Sequence, residues 1–381
     1  MTRTYRSPYF EQLEQKIAAL GGCFNAHIHG DRAGTYAGTV ALLSQQGIAD
    51  GTSLSLAGKH ALIPMVHSSP MFDPEALHRR VGAYLDTMVE VGTTRVDTVV
   101  DTTIDRVGRS AFDALSLLKQ ANANRIDFRL GAYSPLGFRD DEPQRWALLE
   151  TVAEQADFIG LLPERDDRAD YPDHIGFTES CRRGIALAAR LGKQIHIHVD
   201  QSNHPDESGG ELVAQLVEDM GLARPAPAEP FVWLIHLISP STYPEPRFDA
   251  LALRLAALGI GVITCPSGAI SMRQLRRVST PTFNSIARVL ELLVAGVQVR
   301  IGSDNICDVT SPMGTPDLMD EVFVLANAIR YYDLDVLAHL AAGVPLGDDL
   351  RARITAHLAF DREAVETALT KIANRATFAK P

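Results

Sequence analysis

The chain has 381 residues, and its composition and charge already exclude several classes of protein. Hydrophobic residues make up 46% and charged residues 22% of the sequence, which is typical of a globular protein. The 36 Lys and Arg residues are outnumbered by 47 Asp and Glu, giving a net charge of −11. Because nucleic acids and anionic membranes favour a basic surface, neither is expected as a partner.

Cysteine usage and hydropathy indicate the compartment. The four cysteines are scattered and form no CxxC pair, so a disulfide framework is not expected. The first twenty residues lack the apolar centre of a signal peptide, and no apolar run approaches the roughly 18 residues of a membrane helix. We therefore predict a cytoplasmic protein, and the sequence leaves homo-oligomer formation open.

Eight short apolar segments alternate with longer stretches that have helical spacing. The predicted strands are Cys23–His29, Arg95–Asp101, Phe128–Tyr133, Asp157–Leu162, Gln194–Asp200, Val232–Leu237, Ile260–Cys265 and Gln298–Ser303. The predicted helices between them include Ala111–Ala121, Gln144–Gln155, Phe177–Leu191, Gly210–Met220, Asp249–Ala257 and Asn284–Leu293. This alternation is typical of a parallel sheet covered by helices, and eight units indicate the α/β class and a closed (β/α)₈ TIM barrel. An open doubly wound sheet is the alternative, but no glycine-rich phosphate loop follows the first strand.

Two segments fall outside the repeating pattern. Residues 30–94 form a long insertion after the first strand, ending in a helix near Pro74–Val91, and residues 316–381 form a helical tail. We expect a single domain over residues 1–381, with the barrel at about 22–315. Arg273, Arg276 and Arg277, after the seventh strand, are expected on a solvated helix face.

Histidine and aspartate residues recur at the carboxyl ends of the predicted strands. His27 and His29 are two positions apart in the first strand and therefore face the same way. Taken alone, the pair could equally be two core histidines. However, the fifth strand ends near His198, the sixth at His236, and the eighth is followed by Asp304. Because these strand ends meet at one face of a barrel, the residues predict a metal site there, suited to zinc or iron.

These motifs resemble the amidohydrolase superfamily, and within it the cytosine deaminase-like group. The resemblance runs from about residue 22 to about 325. Its specific parts are the first-strand motif Phe24–His29 and the eighth-strand segment Gly302–Asp308 with Pro312–Gly314. Its weaker parts are Gly92–Val96 at strand two and Gly160–Pro163 at strand four. The resemblance implies that His27, His29, His198 and Asp304 are the metal ligands. It also implies that His236 is no ligand but a catalytic group that hydrogen-bonds the attacking water and stabilises the oxyanion.

One divalent ion is expected, with zinc as the first candidate and iron as the alternative. Two-metal members of the superfamily carry a bridging lysine on strand four, whereas Asp157–Leu162 contains none. Lys193 precedes the fifth strand and would lie at the wrong end of the barrel. A divalent ion lowers the pKa of a bound water towards about 7, and Asp304 can take the water's proton and pass it to a leaving nitrogen.

Gln201 departs from the pattern of the group. The deaminases carry a proton-shuttling glutamate three residues after the strand-five histidine, and the residue in that position here is Gln201. A glutamine cannot shuttle a proton at neutral pH, although it can hydrogen-bond a ring carbonyl or N–H group. Either Asp200 or Asp31 supplies the proton instead, or the substrate needs none.

Four residues are predicted to contact the substrate: Gln201, Arg32, Asp200 and Cys265. For Arg32, a solvated loop arginine is the alternative. Gln201 is also assigned to the catalytic set with His236 and Asp304. His196 is expected to be a packed core residue, whereas His67 fits a pocket or a loop equally well. The β-sandwich that most relatives build from their termini is expected to be absent.

The predicted function is metal-dependent hydrolysis of a non-peptide C–N bond in a small nitrogen heterocycle. Deamination and cyclic amide hydrolysis both fit, and Gln201 argues against a standard cytosine deaminase. The alternative is a catalytically inactive barrel that binds a metal or heterocycle as a sensor, although pure binding needs no water-activating pair. Phosphotriester or lactone hydrolysis is a third possibility, which the missing strand-four lysine disfavours.

Overall fold

A parallel eight-stranded sheet forms the centre of the protein. The computed structural model describes residues 7–45, 47, 51–52, 54–272 and 286–378. Neighbouring strands pair in chain order: β1 (Cys23–Ile28), β2 (Thr93–Asp101), β3 (Asp127–Tyr133), β4 (Phe158–Leu161), β5 (Gln194–Val199), β6 (Val232–His236), β7 (Gly261–Thr264) and β8 (Val299–Ile301). All eight predicted strands are confirmed.

The last strand closes the barrel by returning to the first. The Asp304 backbone N–H donates to the His27 carbonyl oxygen at 2.9 Å, and the His29 N–H donates to the Asp304 carbonyl at 3.0 Å. The Asn25 side chain adds two bonds, donating to Ser303 Oγ at 2.8 Å and accepting from the Ser303 N–H at 2.9 Å. A Cβ atom at Gly302 would lie 2.7 Å from the His27 carbonyl oxygen, so only glycine permits this approach. The prediction of a (β/α)₈ barrel is confirmed.

The helices follow the strands as predicted. The helices that precede β7 are α1 (Pro8–Ala19), α2 (Tyr36–Gln45), α3 (Leu56–Ala61), α4 (Ile63–Ser68), α5 (Pro74–Glu90), α6 (Ser110–Asn122), α7 (Gln144–Ala153), α8 (Phe177–Leu191), α9 (Gly209–Asp219) and α10 (Glu245–Leu258). Helix α5 packs on β2 and α6, so it is the first covering helix of the barrel. The insertion after β1 is therefore shorter than predicted and consists mainly of α2, α3 and α4.

The C-terminal part of the chain is helical, as predicted. It contains α11 (Pro266–Ser271), α12 (Val289–Ala295), α13 (Leu318–Ile329), α14 (Leu334–Ala342) and α15 (Asp348–Phe378). Helix α14 packs against β1 and β8, so part of the predicted tail covers the barrel. The start of the predicted helix at Asn284, together with Arg273, Arg276 and Arg277, lies outside the described residues.

The strands are apolar because both of their faces are buried. Aromatic and branched side chains fill the barrel interior, among them Phe24, Trp233 and Phe158. In the described ranges we find one sheet only, so the expected lack of a β-sandwich holds for that part of the chain. None of the helices in the same ranges is long and apolar enough to cross a membrane.

Candidate metal centre and active site

Four side chains converge at the carboxyl ends of three strands. His27 and His29 come from the end of β1, His198 from β5, and Asp304 from the turn after β8. The His27 and His198 Nε2 atoms are 3.1 Å apart, and the His29 Nε2 atom is 3.3 Å from Asp304 Oδ1. One ligand atom from each of the four residues lies within 4.8 Å of all the others. The structure therefore brings the four predicted ligands together.

This arrangement fits a divalent metal ion. With Zn–N bonds of about 2.0–2.1 Å, the edge of a ligand tetrahedron measures about 3.4 Å. The His27–His198 and His29–Asp304 separations of 3.1 and 3.3 Å are close to this value. The His198 Nδ1 atom is 3.0 Å from the Leu161 carbonyl, so it carries the proton and leaves the Nε2 lone pair facing the centre. Three imidazoles and one carboxylate are a donor set that zinc prefers.

Burial and neighbouring charges keep His27, His198 and Asp304 in the protonation state that a metal requires. Burial lowers the pKa values of His27 and His198 well below the ordinary range, and the adjacent imidazoles lower them further. Burial alone would raise the pKa of Asp304, but the hydrogen bond with His29 and the nearby His236 outweigh this and lower it. At neutral pH the two histidines are uncharged and Asp304 is ionised.

His236 and Asp304 have unusual backbone conformations. Their φ angles are +76° and +58°, a left-handed region that non-glycine residues rarely adopt. Such conformations persist where the surrounding structure enforces them, often at functional sites. The His236 Nε2 atom is 4.0 Å from Asp304 Oδ2, and burial lowers the pKa of this imidazole, so it is neutral.

A cavity of about 730 Å³, including its open mouth, lies directly above the four converging residues. Its floor includes His29, His198, His236 and Asp304. Its upper wall comes from the insertion after β1, chiefly α3 and α4, which contribute apolar side chains together with Lys59 and His60. Burial lowers the pKa of His60 to about 3, so this wall presents one neutral imidazole and one lysine. The insertion therefore shapes the cavity.

Arg32 lines the cavity and is held by a buried ion-pair network. Its guanidinium group donates two hydrogen bonds to Asp101, at 2.7 and 2.6 Å. His67 bridges Asp101 at 2.8 Å and Asp105 at 2.6 Å. Burial would lower the pKa of His67, but the two carboxylates outweigh it and raise the pKa to about 9, so His67 is a cation. His67 thus lies in neither a loop nor the cavity wall but behind Arg32, where it orders the carboxylate that fixes the arginine.

Of the other three predicted substrate contacts, the structure places one at the cavity and two away from it. Gln201 lines the cavity and is 3% exposed. Asp200 does not reach the cavity, because its carboxylate accepts hydrogen bonds from the Gly209 and Gly210 N–H groups at the start of α9. Cys265 is fully buried among the side chains inside the barrel and does not line the cavity either.

Asp31, the second acid considered as a proton source, is also directed away from the cavity. Its Oδ2 atom accepts from the Asp101 N–H at 2.7 Å, and its carboxylate is fully buried. Burial and the neighbouring Asp101 raise the pKa of Asp31 to about 6. Neither acid proposed from the sequence is therefore positioned to serve a bound ring. His196 is likewise fully buried, with its ring centroid 4.3 Å from that of Phe158.

Three residues at the site were not identified from the sequence. Tyr133, the last residue of β3, lines the cavity, with its ring centroid 5.5 Å from those of His29 and His198. Tyr133 ends a predicted strand, and this position could have identified it from the sequence as a residue at the site. Glu164 follows β4 and accepts a hydrogen bond from the Gln201 amide at 3.1 Å.

The third residue, Glu321 on α13, holds the loop after β7. It accepts hydrogen bonds from the Ser267 N–H at 2.8 Å and from the Ser267 hydroxyl group. This places Gly268 against the Asp304 carboxylate, where a Cβ atom would lie 2.8 Å from Oδ2. No sequence motif marked this contact.

Comparisons with known proteins agree with the architecture. No protein-family model matches the chain. An uncharacterised protein from Haemophilus influenzae is 26% identical over 255 residues, covering 67% of this chain and 84% of its own. Among solved structures, a 5-methylcytosine deaminase from Klebsiella pneumoniae is 24% identical with a TM-score of 0.70, covering 84% of this chain and 72% of its own. An N-isopropylammelide isopropylaminohydrolase from Burkholderia multivorans is 20% identical with a TM-score of 0.63, covering 84% and 73%. The chain therefore shares the barrel fold of these two hydrolytic enzymes, and the resemblance noted in the sequence is confirmed at the level of the fold.

Proposed function

We propose that this protein is a metal-dependent hydrolase of the amidohydrolase superfamily that cleaves a non-peptide C–N bond in a small nitrogen heterocycle. The observation that carries the proposal is the convergence of His27, His29, His198 and Asp304 at the floor of the cavity. His236 next to Asp304 supports it, because a site that only bound a metal would need no such neighbour.

One ion per chain fits the residues present. Strand β4 carries no lysine, and the Lys193 ammonium group donates to the Ala153 and Ala156 carbonyl groups, which precede β4 at the opposite end of the barrel. A bridging ligand for a second ion is therefore missing among the described residues near the centre. Zinc is the ion that the three imidazoles and the carboxylate favour, and when bound it would supply a water made acidic enough to react near neutral pH.

Asp304 transfers the protons, and His236 stabilises the negative charge that develops. One carboxylate oxygen of Asp304 faces the ligand cluster, and the other, Oδ2, is 4.0 Å from His236 Nε2. Asp304 Oδ2 is placed to take a proton from the attacking water and to deliver it to the leaving nitrogen. His236, neutral but able to donate from one ring nitrogen, hydrogen-bonds the oxygen that becomes negative as the water adds.

The cavity suits a planar ring with polar edges. Apolar side chains of α3 and α4 can cover the ring faces, while Arg32 offers donors to an oxo group. Gln201 lies beside His198, where the edge of the ring would meet the metal centre. The names of the two structural neighbours support the same class, since both describe release of an amine from an aminated ring.

The test is turnover by the zinc-loaded protein on matched pairs of rings. Each pair consists of an amino- or alkylamino-substituted ring and a cyclic amide of the same size, with ammonia or amine release measured against ring opening. We expect amine release that is abolished in the isosteric variant Asp304→Asn. Tight binding of rings without turnover of any compound would instead support the sensor alternative and reject the proposal.

A further inference from the structure

A buried carboxyl group, that of Glu164, contacts the side chain of Gln201 beyond the end of β5. Strands β4 and β5 are neighbours in the barrel, with Leu161 paired to Ile197, so the residues after them meet at the same edge. Glu164 lies in the short 3₁₀ turn Pro163–Asp166 after β4, and Gln201 lies just beyond β5. The Gln201 Nε2 atom donates to Glu164 Oε1 at 3.1 Å. The carboxyl group is therefore placed behind the Gln201 amide, which lines the cavity.

The second oxygen of Glu164 is buried and unused by the protein. Among the residues that the structure describes, Oε2 has no hydrogen-bond partner. Burial raises the pKa of Glu164 well above its ordinary range; the hydrogen bond from Gln201 opposes this, whereas the carboxylates of Glu207 and Asp200 add to it. These surroundings suit the acid form, with Oε1 accepting from Gln201 and Oε2 carrying a proton. A buried donor without an acceptor costs free energy unless a ligand uses it.

We propose that Glu164 supplies the proton that the substrate ring needs, and that Gln201 positions it and contacts the same edge of the ring. The inference rests on the proposed function and narrows it to deamination. The substrate class it names is a heterocycle whose amine-bearing carbon is doubly bonded to a ring nitrogen. Such a ring reacts with water only after the nitrogen has gained a proton, which Gln201 cannot supply.

The proton balance closes with the groups present. Because Glu164 itself does not line the cavity, its Oε2 gives the proton to the ring nitrogen through one water molecule beside Gln201, and the nitrogen keeps it as N–H in the oxo product. The attacking water forms the new C–O bond as the C–N bond breaks. Of the water's two protons, one leaves with the amine by way of Asp304, and the other restores Glu164.

The kinetic test exchanges the two side chains. Because general acid catalysis contributes about 10²–10⁴-fold, Glu164→Gln should lower kcat by at least about 100-fold on an aminated ring. Glu164→Asp should retain part of the activity. The exchange variant Glu164→Gln/Gln201→Glu, which moves the acid to strand five, should recover most of it. Glu154→Gln, at an exposed glutamate after α7, is the matched control and should behave as the wild type.

A spectroscopic test separates this inference from the proposed function. The infrared difference between wild type and Glu164→Gln at neutral pH should contain the C=O stretch of one protonated carboxylic acid. Asp200 and Glu321, whose pKa values burial raises to about 7, are common to both samples and cancel. Absence of the band, or a Glu164→Gln variant that turns over within twofold of wild type, would overturn the inference. A wild type that is inactive on every ring would instead reject the proposed function, while the band would still report on Glu164.

Discussion

His67 provides a quantitative test of the buried network that holds Arg32. Its imidazole is 1% exposed and lies between the Asp101 and Asp105 carboxylates, which raise its pKa from 6.5 to about 9. The group facing Asp101 from the other side is the Arg32 guanidinium. A rise in the pKa of His67 from 6.5 to about 9 means that protonated His67 stabilises the folded state by about 3 kcal/mol.

The sign of the pH dependence follows from the direction of the pKa change. Because the folded-state pKa is the higher one, the stabilisation is fully present below pH 6.5 and is lost as the pH rises through about 9. Replacement by the neutral His67→Gln removes it at all pH values. The difference in unfolding free energy between wild type and variant should therefore shrink by about 3 kcal/mol between pH 6 and pH 10.

Denaturant unfolding of both proteins at pH values from 6 to 10 measures this difference. His78→Gln, at an exposed position on α5, is the matched control and should show no such trend. A constant gap between wild type and His67→Gln across the range would refute the assignment of His67 as a cation.

Three further predictions concern the metal centre. Gly268→Ala places a methyl group 2.8 Å from Asp304 Oδ2, so kcat should fall at least tenfold while the melting temperature changes little; an unchanged kcat would contradict the role of that contact. Gly302→Ala forces β8 away from the His27 backbone, and equilibrium unfolding should show a loss of about 1–3 kcal/mol together with weaker metal retention. His236→Asn should lower kcat by about 10²–10³-fold with the metal content unchanged, and loss of the metal would show that His236 is a ligand instead.

The fold and the ligand cluster could be predicted because they depend on simple periodicities. Alternation along a strand places His27 and His29 on one face, and parallel strands bring their carboxyl ends to one edge of the barrel. The eight apolar segments and the polar residues that follow them were therefore sufficient to locate the centre.

The surroundings of the centre depend on contacts between segments distant in the sequence. Asp200 was expected at the cavity because it follows β5, but its φ angle of +57° turns the chain, and its carboxylate caps α9 instead. Glu164 and Gln201 are 37 residues apart, and only the pairing of β4 with β5 brings them into contact. His67 lies in an insertion without any periodic pattern, so its position behind Arg32 could not be inferred.

Metal analysis of the purified protein tests the central claim most directly. Elemental analysis should find close to one divalent ion per chain, with zinc predominant, and an isosteric change at a ligand, His198→Asn, should reduce the content by at least tenfold. Wild-type protein that binds no ion, even after dialysis against zinc, would contradict the account.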